Sequence, residues 1–254
     1  MNIADANKKK LIKKTGLDKY YKASSWAGYN KQMFDKLAPK YDAGNVLHSF
    51  GTKWMYDRKA MEKIPFPPQA TILDLCTGSG DIAIYLAEKY PDSKVVALDV
   101  SKEMIKLARK KATHLNNIEF VEGDALALPF KNETFDVVII SYGLRNLTNI
   151  EEGIKEMVRV TKRNGFVSSI DQGKPQNLFF KFIYKVYFYN IAPVIGKIIF
   201  HMGEYNTFRY LPESNKYFPH PKDLVLLFSK NELKNVQNFD YFVGAIAQQV
   251  GQKI

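Results

Sequence analysis

Between residues 70 and 171 the chain alternates short apolar runs with stretches whose apolar positions recur at helical spacing. The runs are Ala70–Leu75, Lys94–Leu98, Ile118–Val121, Phe135–Ser141 and Phe166–Ile170. Helices are predicted between them over Asp81–Lys89, over Lys102–Ala112 behind a Ser101 N-cap with Glu103 in the first turn, and over Ile150–Lys162 before an Asn164-Gly165 turn. Strands alternating with helices predict a doubly wound, mostly parallel α/β sheet.

The flanks read differently. Residues 1–66 are polar and helical in pattern and end at Pro65-Phe66-Pro67-Pro68, a break before the first strand. The α/β core then spans 67–175, an aromatic insertion 176–217 and a C-terminal return to the core 218–254. That last part carries one predicted helix, Lys222–Asn231, and strand-like stretches at Val236–Phe239 and Phe242–Ala247. Internal repeats are absent from the sequence.

At 254 residues and 46% apolar composition the chain can bury a real core, and its formal net charge of +11 favours an anionic partner: nucleic acid, an acidic membrane surface or an acidic small molecule. The single cysteine, Cys76, precludes an intramolecular disulfide or a cysteine zinc cluster and fits a reducing compartment. Met1 to Lys14 holds five lysines and lacks the apolar stretch of a signal peptide, so a cytoplasmic location is expected. His48, His114, His201 and His220 show no metal-ligand spacing, and no metal is expected.

Candidate chemistry lies at the strand ends. The first strand runs into Asp74-Leu75-Cys76-Thr77-Gly78-Ser79-Gly80-Asp81, a G-x-G turn opening a helix, where a ligand can approach the backbone and free N–H groups. The second ends at Asp99, where a carboxylate can accept from both hydroxyls of a ribose, and the third at Glu122-Gly123-Asp124-Ala125, beside where an adenine would lie. Taken singly, a G-x-G is a weak signal and the two aspartates read equally as caps or turn residues. Together they define one crevice at the carboxyl edge of the sheet. Asp74, Asp81, Asp99 and Asp124 suit a ligand carrying an ammonium and a sulfonium better than a pyrophosphate, which favours S-adenosylmethionine over a nicotinamide.

The segments "ILDLCTGSGDIA", "LDVSKEMIKLARKK", "GDALALPFKNETFDVVIISYGLRNLTN", "EEGIKEMVRVTK" and "FRYLPESNKYFP" resemble the motifs of the quinone-biosynthesis C-methyltransferases, with similarity beginning near "KLAPKYDAGNVLHSFG". The resemblance implies a class I methyltransferase fold with a seven-stranded sheet, N-terminal helices and a helical lid. It also implies S-adenosylmethionine as cosubstrate and a polyprenylated quinol, demethylmenaquinol or a ubiquinol precursor, as methyl acceptor. Carried over by residue, it implies donor contacts at Gly78, Ser79, Gly80, Asp99, Asp124, Ala125 and Ser141, and a catalytic pair at Arg145 and Asn146. The chain departs from the family at Asp171-Gln172-Gly173-Lys174-Pro175, where Glu-Phe-Ser-Lys-Pro is usual. It departs again at Gln249, where a histidine is usual, and in the Lys162-Arg163-Asn164-Gly165 turn.

Methylating an aromatic carbon needs electron density there, most simply by deprotonating the neighbouring hydroxyl. Arginine is a poor base, but Arg145 can pair with the phenolate and orient a water, with Asn146 fixing the guanidinium or another substrate oxygen. The alternative is that Arg145 ties its loop to a carboxylate such as Asp171 and touches no substrate. The remaining readings are another hydrophobic or phenolic acceptor, a binding protein that retains the donor crevice, and nucleic-acid methylation. The last is opposed by the lack of an Asn/Asp-Pro-Pro-Tyr/Phe motif or a recognisable RNA-binding module, so no nucleic-acid partner is expected.

Residues 177–200, "NLFFKFIYKVYFYNIAPVIGKIIF", are apolar but interrupted by Lys181, Lys185, Asn190, Pro193 and Lys197, below the ~18 uncharged residues of a membrane span. Lys181 and Lys185 share one helical face, while Phe179, Phe182, Ile183, Val186 and Tyr187 cover much of the rest. The segment reads either as a helix packed over the sheet with its lysines outward, or as a lid. As a lid, its aromatic side would take the isoprenoid tail and its lysines would meet anionic headgroups, making the protein peripheral at the inner face of the membrane.

Overall fold

The computed structural model describes residues 26–192, 194 and 214–254. Among the described residues seven strands are formed: β1 (Thr71–Leu75), β2 (Lys94–Asp99), β3 (Ile118–Glu122), β4 (Phe135–Ser141), β5 (Thr161–Gln172), β6 (Leu233–Tyr241) and β7 (Ile246–Lys253). They make one sheet in the order β3-β2-β1-β4-β5-β7-β6, and β7 alone runs antiparallel to its neighbours. The order reverses at β1 and β4, the strands whose carboxyl ends carry the glycine loop and the Arg145 loop. Crevices form at such switch points because the connections leave to opposite faces of the sheet.

Helices α1 (Trp26–Leu37), α2 (Tyr41–His48) and α3 (Lys53–Met61) precede the sheet, with a short 3-10 turn at Ala38–Lys40. Within the core lie α4 (Asp81–Lys89), α5 (Lys102–Lys111) and α6 (Ile150–Val160); α7 (Leu178–Val186) and α8 (Pro221–Lys230) follow β5. One face of the sheet buries Leu73, Val138 and Ile140 against Met157 of α6 and Phe228 of α8. The other buries Ile72, Val137 and Ile139 against Met61 of α3 and Leu86 of α4. Helix α1 packs Trp26, Tyr29 and Met33 onto Met104 of α5, which brings α2 over the carboxyl edge.

Local signals account for several boundaries. Ser101 Oγ accepts the Met104 N–H (3.2 Å) and Asn149 Oδ1 the Glu152 N–H (3.2 Å), so both helices start at side-chain caps. Two expectations need correction. The helix expected to reach Lys162 stops at Val160, and β5 begins at Thr161 rather than Phe166. Thr161 is extended, its hydroxyl donates to the Met157 carbonyl (2.7 Å), and Asn164, at φ 61°, sits within a strand whose register against β4 shifts. The strand expected at Phe242–Ala247 is mostly the turn between β6 and β7, with Val243 and Gly244 left-handed, and β7 continues to Lys253.

In the aromatic insertion, α7 starts behind an Asn177 cap and runs into a π-helical turn at Tyr187–Ile191. None of its residues is buried, so it does not pack over the sheet as an ordinary core helix. Residues 195–213, with His201 and most of the "FRYLPES" motif, lie outside the described residues, as does the lysine-rich N-terminal stretch.

Candidate active site

The glycine loop follows β1. Gly80 caps α4 in the left-handed region at φ 84°, and a Cβ there would stand 2.9 Å from the Ala108 Cβ. The Gly78 N–H donates to Asp99 Oδ2 (2.8 Å), and Asp99 Oδ1 accepts the Ser101 N–H (2.8 Å). Asp99 therefore joins the loop to the end of β2 and is itself aimed by two backbone donors. Burial raises its carboxyl pKa, and the two N–H groups oppose the rise.

Beside it, Asp74 is wholly buried at the end of β1. Desolvation raises its pKa to about 7 against the opposing hydrogen bond from the Thr77 hydroxyl (2.6 Å). Its Oδ1 has no partner among the described residues, and neither has Ser141 Oγ at the end of β4. Acceptor oxygens left open at the ends of two adjacent strands suit a cationic ligand with several donors. Asp124 is exposed in the turn after β3, where Oδ1 accepts the Leu126 N–H (2.9 Å), and Ala125 is buried next to it. Ser79, expected at the donor, spends its hydroxyl on Asp42 of α2 (2.5 Å), and Lys111 ties Asp42 (2.9 Å) to Asp81 (2.6 Å).

The Arg145 loop leaves β4 across the same edge. Gly143 is needed there because a Cβ would meet the Cys76 Cβ at 2.5 Å. The Cys76 thiol is pushed well above its usual range, first by burial and then by nearby aspartates, which suits a packed residue and not a nucleophile. Arg145 is buried and its guanidinium pairs with Asp171 at the end of β5, while its backbone N–H donates to Asp171 Oδ2 (3.2 Å). The tie between Arg145 and Asp171 anticipated as the alternative to substrate contact is thus present. Asn146 donates to the Tyr142 carbonyl (3.3 Å), and its own carbonyl accepts from Trp26 Nε1 (2.7 Å) and Asn30 Nδ2 (2.8 Å) of α1.

The structure adds residues to which sequence patterning assigned no role. Tyr41 of α2 lies 3.5 Å from where a Gly78 Cβ would be, and its hydroxyl pKa is raised by burial and lowered by Lys53, Asn45 and Arg145 nearby. Tyr142, left-handed at φ 56°, donates its hydroxyl to Asp57 Oδ1 (3.1 Å), and Asp57 Oδ2 accepts from Lys53 (2.5 Å). A non-glycine residue held at positive φ costs of order 1–3 kcal/mol, a strain typical of ligand-handling loops. The one sequence signal for Lys53 and Asp57 is their four-residue spacing, which on a helix reads as a surface ion pair. Of the histidines, His114 approaches Glu88 (3.1 Å), and His220 caps α8 and meets Gln176 (2.7 Å) in the segment after β5.

Solved structures share the architecture. Methyltransferases dependent on S-adenosylmethionine from Thermotoga maritima and Aquifex aeolicus align with TM-scores of 0.63 and 0.57 at 17% identity, covering 88% and 78% of this chain and 99% and 89% of theirs. Curated relatives are nearer in sequence. A demethylmenaquinone methyltransferase of Bacillus licheniformis is 36% identical over 87% of this chain and 95% of its own length. The corresponding enzyme of Thermus thermophilus is 38% identical over 76% and 87%. The ubiquinone/menaquinone biosynthesis C-methyltransferase UbiE of Geotalea daltonii is 33% identical over 88% and 95%. The family model of the ubiE/COQ5 methyltransferases matches residues 22–253. With that match spanning the whole sheet and both crevice loops, the chain belongs to the ubiE/COQ5 methyltransferase family.

Proposed function

We propose that this protein transfers a methyl group from S-adenosylmethionine to a ring carbon of a polyprenylated quinol. The observation that carries the reading is the Gly78–Asp99 hydrogen bond, which assembles glycine loop and carboxylate into one donor crevice directly beside Arg145 in a chain of this family. Asp99 would hold the ribose hydroxyls, the Asp124-Ala125 turn the adenine, and the Gly78-Ser79-Gly80 backbone the methionine end. Asp74 and Ser141 offer acceptor oxygens toward its positive charges. When bound, the sulfonium supplies a methyl group already activated for attack.

The protein's own work is then positioning and charge stabilisation. Asp171 fixes the Arg145 guanidinium beneath the loop, so Arg145 would stabilise a ring oxyanion by its positive charge, with its fork already engaged by a carboxylate. Asn146 keeps the loop closed on α1.

Delivery of a water-insoluble acceptor is assigned to α7. Leu178, Phe179 and Phe182 are 82%, 66% and 66% exposed there, next to Lys181 and Lys185. No helix among the described residues is long and apolar enough to cross a membrane, and an exposed aromatic helix with lysines suits the surface of an anionic bilayer. The direct test supplies radiolabelled S-adenosylmethionine with short-chain demethylmenaquinol, with lipid extract and with total RNA in parallel. Label in the quinol arm supports the reading, and label confined to RNA overturns it.

A further inference from the structure

Resting on the proposed quinol chemistry, we infer that Tyr142 is a catalytic residue that relays the acceptor's hydroxyl proton to Asp57, which releases it to solvent. Tyr142 directly follows the last residue of β4, and its ring lies between Lys53 Nζ at 5.2 Å and the Arg145 guanidinium carbon at 6.0 Å from the ring centre. A phenol brought to Arg145 therefore comes to this ring, whose hydroxyl already donates to Asp57.

Of the groups set around the Tyr142 ring, only Asp57 is suited to accept the proton. Arginine stays protonated at all working pH values. Lys53 is half-buried; desolvation lowers its pKa but Asp57 and Tyr41 outweigh it, so it remains an ammonium without a lone pair. Asp171 already accepts three hydrogen bonds, from the Arg145 guanidinium, the Arg145 N–H and the Gln172 N–H (2.7 Å). Asp57 differs in that each oxygen carries one side-chain hydrogen bond, from Tyr142 and from Lys53. Burial raises its pKa and Lys53 opposes, which leaves a carboxylate more basic than an exposed one.

Asp57 also lines a half-open cavity of about 350 Å³ between α2, α3 and α4, bounded by Lys53, Arg58, Asp81 and Lys111. That cavity is the exit. Behind the Tyr142 ring stand Arg145 and Asp171, and Tyr41 faces Lys53.

In the step itself the quinol O–H bond breaks and its electron pair stays on oxygen. A new O–H bond forms at Tyr142 Oη while the tyrosine's former proton moves to Asp57 Oδ1. The ring carbon takes the methyl as the carbon–sulfur bond breaks, and the ring C–H proton then restores the hydroxyl as aromaticity returns. One proton per turnover leaves through Asp57.

The test compares wild type, Tyr142→Phe, Asp57→Asn and the double variant by anaerobic methyl transfer to short-chain demethylmenaquinol across neutral to alkaline pH. A second measurement follows the absorbance of bound 4-nitrophenol as a reporter of phenol ionisation. Each single variant should lose on the order of 100-fold in kcat at neutral pH with donor affinity unchanged. The double variant should be no worse than the poorer single, and the deficit should shrink as rising pH ionises the quinol unaided. Wild type should bind nitrophenol in its ionised form at a pH where Tyr142→Phe binds it neutral. Should Asp57→Asn fail to fold, Tyr142→Phe, which keeps the ring, carries the comparison. A Tyr142→Phe enzyme with wild-type kcat, a deficit constant with pH, or nitrophenol equally ionised in wild type and variant overturns the relay. Ionised nitrophenol in wild type without methylation of any quinol would instead sink the acceptor assignment and leave the relay standing.

Discussion

Asp171 accepts from Arg145 twice, from the guanidinium and from the backbone N–H, so one carboxylate at the end of β5 sets both the side chain and the loop that follows β4. Both residues are more than nine-tenths buried, and removing one charge leaves the other without compensation in a low dielectric. Asp171→Asn should therefore cost about 3–5 kcal/mol of stability and most of the methyl transfer. Asp171→Glu keeps the charge and should recover part of both. Urea unfolding and kcat, measured on the two variants side by side, check this, and equal behaviour of Asn and Glu would remove the charge from the explanation.

Asp99 is a structural acceptor and the proposed ribose ligand. Asp99→Ala should weaken S-adenosylmethionine binding by at least about 100-fold, since two charge-assisted bonds to ribose are lost. It should also destabilise the free protein by about 1–3 kcal/mol, because the Gly78 and Ser101 N–H groups lose their acceptor. Titration calorimetry and thermal unfolding separate the two effects, and unchanged donor affinity would take Asp99 out of the crevice.

Stability should fall as pH rises from about 4 to about 7. Asp74 binds its proton more tightly in the folded state, at about 7, than in the unfolded chain, at about 3.9. The folded state thus holds more protons in that window, and linkage makes each step up in pH destabilising. Asp57 and Asp99 are shifted in the same direction. Asp74→Asn should flatten the profile and make the protein more stable than wild type above neutral pH. Denaturant midpoints taken across the window test it, and a wild-type profile that rises with pH would contradict the assignment.

The protein should co-sediment with anionic vesicles and not with zwitterionic ones, and salt should weaken the association. Lys181→Glu combined with Lys185→Glu should abolish most of it, each lysine near the surface contributing up to about 1 kcal/mol. Retained binding by the double variant across the salt series would move the contact away from α7.

The parallel strands were legible in the chain because each is a short apolar run bounded by turn residues, and the cap at Ser101 because capping is local chemistry. The glycine loop, Asp99, Asp124 and the Arg145 loop could be assigned to one sheet edge from order alone, since every β-to-α turn of a doubly wound sheet falls on the same side. Family motifs such as "GLRN" added the expectation of chemistry there. The start of β5 was hidden because Thr161-Lys162-Arg163-Asn164 is polar and carries neither strand alternation nor an apolar run. The exposed turn at Phe242–Gly244 was hidden by apolar residues that look like a strand. What only the tertiary structure decided is which polar groups meet. Tyr142 and Asp57 are 85 residues apart and Arg145 and Asp171 are 26 apart, and no local periodicity pairs them. Tyr142 meets Asp57 because α3 packs against the sheet, and Arg145 meets Asp171 because β4 and β5 are neighbours in register, since a charge taken out of water must find whatever partner the fold brings within reach.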